Sequence, residues 1–255
     1  LHYRNPAKSE LVGYHRSAGG LDQSLIHQSF VQFLRGFIQN PPLWLREGFA
    51  VYYEASDYDR EIQRPVYREN LAWLETLKDI LSGDSSAPVI SFEEILSMTQ
   101  DDARSQLEVF YPQAWGMVSF LVNAEYRDAN RMLWDSISAL QRDATLEENV
   151  QAVYEQAFRW VDREELFQEF QKYIGSRRSF QGWVTHGVDS FQKGETGEAE
   201  RAFVQAVQLD DGSYVPYYYL GLINYGRSNY GLADYYYQEA AARGADEAIT
   251  LYALG

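Results

Sequence analysis

Three glycines, Gly187, Gly221 and Gly255, stand 34 residues apart, and that interval constrains the last third of this chain more than any other feature. A recurring period of this length marks a supersecondary unit that cannot bury its apolar face alone and must stack on copies of itself. With Phe180 as position 1 of the first copy, Trp183, Gly187, Gly194, Ala199, Phe203 and Ala206 fall on positions 4, 8, 15, 20, 24 and 27. With Tyr214 as position 1 of the second, Tyr217, Leu220, Gly221, Tyr230, Ala233, Tyr237 and Ala240 fall on 4, 7, 8, 17, 20, 24 and 27. Small residues stand where two helices would cross, and large ones where they would interlock. A third copy opens with Leu251, Leu254 and Gly255 on positions 4, 7 and 8.

This pattern resembles the tetratricopeptide (TPR) repeat, departing from it at His186 and Ser190, where Leu and Tyr are usual. The resemblance implies helical hairpins whose first helices line a concave groove through positions 2, 5, 9 and 12. Here that set is Gln181, Val184, Val188 and Phe191, then Val215, Tyr218, Leu222 and Tyr225, then Ile249 and Tyr252. Val184, Phe191, Tyr218, Leu222, Tyr225 and Tyr252 are the expected contacts for a protein or peptide partner. Carboxylate-clamp repeats carry Lys at 5 and Asn at 9, whereas this chain has Val184 and Tyr218, Val188 and Leu222. From residue 180 onward ten acidic residues face four basic ones, so neither a free carboxylate nor an acidic peptide suits the groove. The other reading of these rings is packing against further repeats or against the N-terminal domain.

Upstream, the sequence reads as almost continuous helix from 22 to 175. Residues 1–20 read as irregular, with Gly13, Gly19 and Gly20 breaking periodicity. Asp22 is a candidate N-cap for a helix carrying Leu25, Ile26, Phe30, Val31, Phe33, Leu34 and Phe37. Asn40-Pro41-Pro42 must end it, because proline offers no amide donor and biases its predecessor away from the helix. A second helix is expected over 43–54 and another over 66–81. Ser91 with Glu94, Thr145 with Glu148, and Asp162 with Glu165 have capping-box spacing and mark three more starts. The 175–179 segment, Gly-Ser-Arg-Arg-Ser, reads as a junction between domains at 1–175 and 180–255.

The N-terminal part carries a second resemblance. His27-Gln28-Ser29-Phe30-Val31, followed by Pro42-Leu43-Trp44-Leu45-Arg46-Glu47-Gly48-Phe49-Ala50-Val51-Tyr52-Tyr53-Glu54, is similar to the paired helices of the gluzincin (peptidase-MA-like) metallopeptidases. Phe110-Tyr111-Pro112-Gln113-Ala114-Trp115 is similar to a later helix of that domain. The fold implied is mainly α: a degenerate zincin-like helical domain followed by TPR hairpins. In the family, two histidines four apart share a zinc, the Glu between them activates the bound water, and a Glu on the second helix completes the ligands. Here Gln28 cannot take a proton near neutral pH, and Val31 has no atom to offer a metal. Only His27 and Glu47 keep that chemistry, and two ligands do not make a stable zinc site. His27 is therefore expected as a relic holding a hydrogen bond, with Glu47 as the partner of that histidine or of an arginine. No metal and no cofactor are expected. Of the four histidines, His2, His15, His27 and His186, no two are four apart.

A net charge of −15 argues against nucleic acid, which needs basic patches to displace counterions. Zero cysteines remove disulfides and thiol chemistry. No apolar run reaches the roughly 20 residues of a membrane helix. The chain opens on Leu1 and stops inside a repeat, which reads as a fragment or processed form. The expected function is a non-catalytic binding scaffold; the rival is a zinc-dependent hydrolase with atypical or partner-supplied ligands. The family resemblance implies a bacterial periplasm or cell envelope, with a lipid anchor outside this chain.

Overall fold

The computed structural model of the protein describes residues 4–5, 8–9, 23–59 and 63–245. It is mainly α, in two compact units, Leu1–Arg177 and Arg178–Gly255. His2, His15, Asp22, Ile249, Tyr252 and Gly255 lie outside the described residues. Among the described residues no helix is long and apolar enough to cross a membrane.

The first unit begins with a two-residue antiparallel pair, β1 (Arg4–Asn5) and β2 (Lys8–Ser9). Helices α1 (Gln23–Phe37) and α2 (Leu43–Tyr53) follow, separated by the Pro41-Pro42 break. Next comes an antiparallel hairpin, β3 (Asp57–Asp59) with β4 (Arg64–Val66). Then come α3 (Leu74–Ser82), α4 (Phe92–Ser97), α5 (Gln100–Arg104), α6 (Leu107–Asn123) and α7 (Ala129–Ala139). Helix α8 (Leu146–Val153) runs into a π-helical turn at Tyr154–Phe158, and α9 (Arg163–Ser176) closes the unit.

Helix starts follow the caps. Ser91 and Thr145 form complete capping boxes with Glu94 and Glu148, and the Asp162 side chain accepts from the Glu165 amide. A further box, Thr99 with Asp102, opens the short α5. The helix expected over 66–81 is corrected: it starts only at Leu74. Val66 pairs with Asp57 in the hairpin instead, and the Asn70 amide donates to the Tyr52 carbonyl at 3.0 Å while its side chain accepts from Ala72 N. These tertiary bonds outweigh the local helical spacing of 66–73.

The core of this unit is assembled around α6, where Phe110, Ala114, Trp115, Val118 and Phe120 are all nearly solvent-free. Gly48 lets α2 approach closely. A methyl there would lie 2.8 Å from Val118 Cγ2 and closer still to the Ala114 carbonyl oxygen, so only glycine fits against that stretch of α6. Tight contact with α6 thereby fixes the neighbouring Glu47.

Among the described residues the second unit holds two helical hairpins, α10 (Phe180–Gln192) with α11 (Thr196–Leu209), and α12 (Tyr214–Gly226) with α13 (Tyr230–Ala242). Each crosses at a glycine. A methyl on Gly187 would meet the Phe203 ring at 2.7 Å, and one on Gly221 would meet the Tyr237 ring at 2.6 Å. The rings fill the space left by the missing side chains, and Ala199, Ala206, Ala233 and Ala240 on the same helices are nearly solvent-free.

Candidate functional site

His27 and Val31 sit one turn apart on α1, and Val31 is buried at 6% exposure while Gln28 faces outward. The His27 ring is held from both ends. Its Nε2 lies 3.1 Å from Glu47 Oε2 and its Nδ1 lies 3.0 Å from Glu54 Oε2. Glu47 and Glu54 are seven residues apart, two turns along one helical line, so roughly 10 Å of rise separates them. An imidazole with a hydrogen bond at each end spans that gap.

The carboxylates are held in turn. Arg46 binds Glu47 Oε1 at 2.7 Å through both Nε and Nη2, and Asn70 Nδ2 donates to Glu54 Oε1 at 2.6 Å. Glu47 thus takes both of the partners considered for it, a histidine and an arginine. Burial works against the charge on His27, but the two facing carboxylates outweigh it and push its pKa up to about 9. Burial likewise opposes ionised Glu47, and the His27 bond with the Arg46 charge reverses that and holds its carboxyl below the ordinary range. The Tyr111 hydroxyl is pushed up by burial and by the negative Glu47 nearby.

Each ring nitrogen of His27 faces an acceptor-only carboxylate, and a ring protonated at both nitrogens donates to each. The two carboxylates lie at opposite ends of the ring, and the side chain one turn further along α1 is Val31, which has no metal-ligating atom. Among the described residues no group of three or more His, Asp or Glu side chains is arranged to hold a metal ion.

The sequence motif marks His27, Gln28, Val31 and Glu47 and gives no role to Glu54 or Asn70. The spacing of Glu54 from Glu47 was the available signal for the former. Asn70 carried none, because its contact spans 16 residues and depends on the hairpin.

In the second unit the residues expected to line a groove divide. Val184 is buried at 8%. Phe191 packs its ring on Tyr219 at 5.4 Å, and Tyr219 stacks on Phe203 at 4.8 Å. Tyr218 touches both Tyr219 and Tyr237, at 5.7 and 6.1 Å between centroids. Leu222 is half-buried. Tyr225 is 45% exposed and rests edge-on against Tyr230, itself 60% exposed.

Residues 25–141, from α1 through α7, match the family model described as "Protein of unknown function (DUF1570)". The matched span contains His27, Glu47, Glu54, Asn70 and Tyr111 and stops before α8. No curated protein and no solved structure matches the chain.

Proposed function

We propose that this protein is a non-catalytic binding scaffold, built from a zincin-like helical unit that has lost its metal chemistry and a TPR module that receives a protein or peptide partner. One observation carries the TPR reading: the same glycine-on-ring crossing occurs at Gly187 with Phe203 and, 34 residues on, at Gly221 with Tyr237. Repeats of this kind offer one helix of each hairpin to a partner. Tyr225 and Tyr230 are the exposed aromatic pair on that module, and tyrosines provide contact area at low entropic cost. On the same reading the protein works at a bacterial cell envelope, which fractionation of native cells would test.

The test of partner binding is a pull-down from native extract with wild type and with Tyr225→Ala. Tyr218 is a poor probe because its ring also packs on Tyr219 and Tyr237. Removing an exposed anchor should weaken capture about thirtyfold, equivalent to about 2 kcal/mol. Full retention of every partner by a folded Tyr225→Ala variant would reject the groove.

The pseudo-peptidase reading is supported by the doubly bonded His27 and by Val31. Restoring the motif with Gln28→Glu and Val31→His should create zinc affinity measurable by calorimetry, since the second imidazole would lie one turn from His27 on the face that meets α2. Wild type should bind none stoichiometrically. If the double variant binds no better than wild type, α1 and α2 are not a zincin helix pair.

A further inference from the structure

His186 stands where the second hairpin has Leu220, and the exchange is part of a larger one. Helix α12 lays Tyr219, Leu220 and Ile223 against α11. The Tyr219 ring stacks on Phe203 at 4.8 Å, and Leu220 and Ile223, each 2% exposed, cluster with Ala199 and Phe203. Thirty-four residues earlier, the same three positions of α10 are Thr185, His186 and Asp189. Two of them are four residues apart and the third is next to one of these, so all three share one face of the helix.

That face is polar throughout. Thr185 and Asp189 are exposed. His186 reaches α11, where its Nε2 lies 3.1 Å from Glu198 Oε1, and Arg201 Nε donates to the other oxygen of Glu198 at 3.1 Å. Glu198 itself stands where α13 has Leu232. An apolar helix laid on α10 as α12 lies on α11 would strip water from the Asp189 carboxylate and the Thr185 hydroxyl and offer no hydrogen bond in return. Polarity, rather than open space, marks this position as an end. A stack of helical repeats needs a polar outer face on its terminal hairpin to stay soluble.

We propose that the outer face of α10 is a polar cap that closes the helical stack to a further hairpin and to a second copy of this chain. The cap gives His186 a reason to depart from the repeat pattern, since a leucine there would face water. It rests on the repeat reading for the 34-residue correspondence alone. A partner captured equally by wild type and Tyr225→Ala would reject the groove and leave the cap untouched.

The experiment turns the cap into a stacking face in the full chain. Thr185→Tyr, His186→Leu and Asp189→Ile together give α10 the residues of α12. Measured by light scattering alongside wild type, the mass of this triple variant should climb with protein concentration to at least twice the wild-type value, because an exposed apolar face associates. Asp189→Ile alone should melt within a few degrees of wild type. Ile223→Asp, the reverse exchange at the covered position, should lower the Tm by at least about 10 °C. The proposal is overturned if the triple variant keeps the wild-type mass at every concentration. It is equally overturned if that variant unfolds, or if Asp189→Ile melts as low as Ile223→Asp, since these positions would then be packed.

Discussion

An imidazole flanked by two carboxylates satisfies both only by carrying two protons, so the folded state holds His27 as a cation. The consequence for stability follows from the gap between its free value of 6.5 and the folded value of about 9. Below pH 6.5 both folded and unfolded chains bind the proton, and the contribution of this ion triad is fully present. Between 6.5 and 9 the unfolded chain releases the proton that the folded chain keeps, so stability declines as pH climbs, and the contribution is gone above about 9. At 1.36 kcal/mol per unit, the amount at stake is about 2–3 kcal/mol once partial solvent access is allowed for. His27→Gln, which keeps a donor but cannot titrate, should flatten the fall in unfolding free energy between pH 6.5 and 9. Denaturant titrations at pH 6, 7.5 and 9 measure it, and an unchanged slope would show that the triad does not form in solution. At this scale the sequence was half legible. That Gln28 is no carboxylate and Val31 no imidazole is plain in the sequence, but what His27 bonds to depends on Glu54 and Asn70, brought in by a helix length and a hairpin.

Between elements, close approach of helices is what the glycines secure. At Gly221 an added methyl would gain up to about 1 kcal/mol of helix propensity but would press on the Tyr237 ring at 2.6 Å, a strain of about 1–3 kcal/mol. Strain outweighs propensity, so Gly221→Ala should destabilise by about 1–2 kcal/mol. Combining it with Tyr237→Leu, which removes the ring, should give less than the sum of the two single losses, the mark of a shared contact. The same crossing contains a cost that its counterpart avoids. The Tyr237 hydroxyl is buried without a hydrogen-bond partner among the described residues, and burial pushes its pKa up to about 12. Phe203 fills the equivalent place with no hydroxyl at all. Tyr237→Phe should therefore be neutral or stabilise by about 1 kcal/mol, seen as a Tm unchanged or raised by a few degrees; a clear loss would mean the hydroxyl is bonded through water. Element positions were legible wherever a local device sets them: prolines after α1, and capping residues at Ser91, Thr145 and Asp162. They were illegible at 66–73, where apolar spacing suits a helix but the Asn70 bonds to Tyr52 and Glu54 and the pairing of Val66 with Asp57 keep the chain out of a helix until Leu74. Those partners are distant in sequence, and no periodicity in the segment announces them.

For the molecule as a whole, charge is the property sequence fixes outright, because folding cannot alter the count of 37 acidic and 22 basic residues. Even with every Lys and Arg paired to one carboxylate, fifteen acidic groups would remain uncompensated. Pairing is in fact extensive: in the second unit Arg201 binds Glu198, Arg227 binds Glu200 and Arg243 binds Glu239. Salt acts on the two populations in opposite directions. It weakens the pairs, but exposed pairs such as Arg104–Asp101 and Arg159–Glu155 are worth only about 0–1 kcal/mol each. It also screens the repulsion among the excess carboxylates, which reaches across about 30 Å at 0.01 M salt and about 8 Å at 0.15 M. That repulsion acts over the compact chain and is relieved by unfolding, so the second effect should dominate. We expect the Tm to rise as sodium chloride goes from 10 to 150 mM, most steeply at the lower end, and to rise less once enough surface carboxylates are neutralised. Glu125→Gln, Asp135→Asn and Asp189→Asn together remove three negative charges that form no ion pair among the described residues and lie outside the first turns of helices, so the triple variant should start from a higher Tm at 10 mM salt and respond less to added salt. A Tm that falls with salt in wild type would mean that the paired charges, rather than the fifteen left over, set the electrostatic balance of the fold.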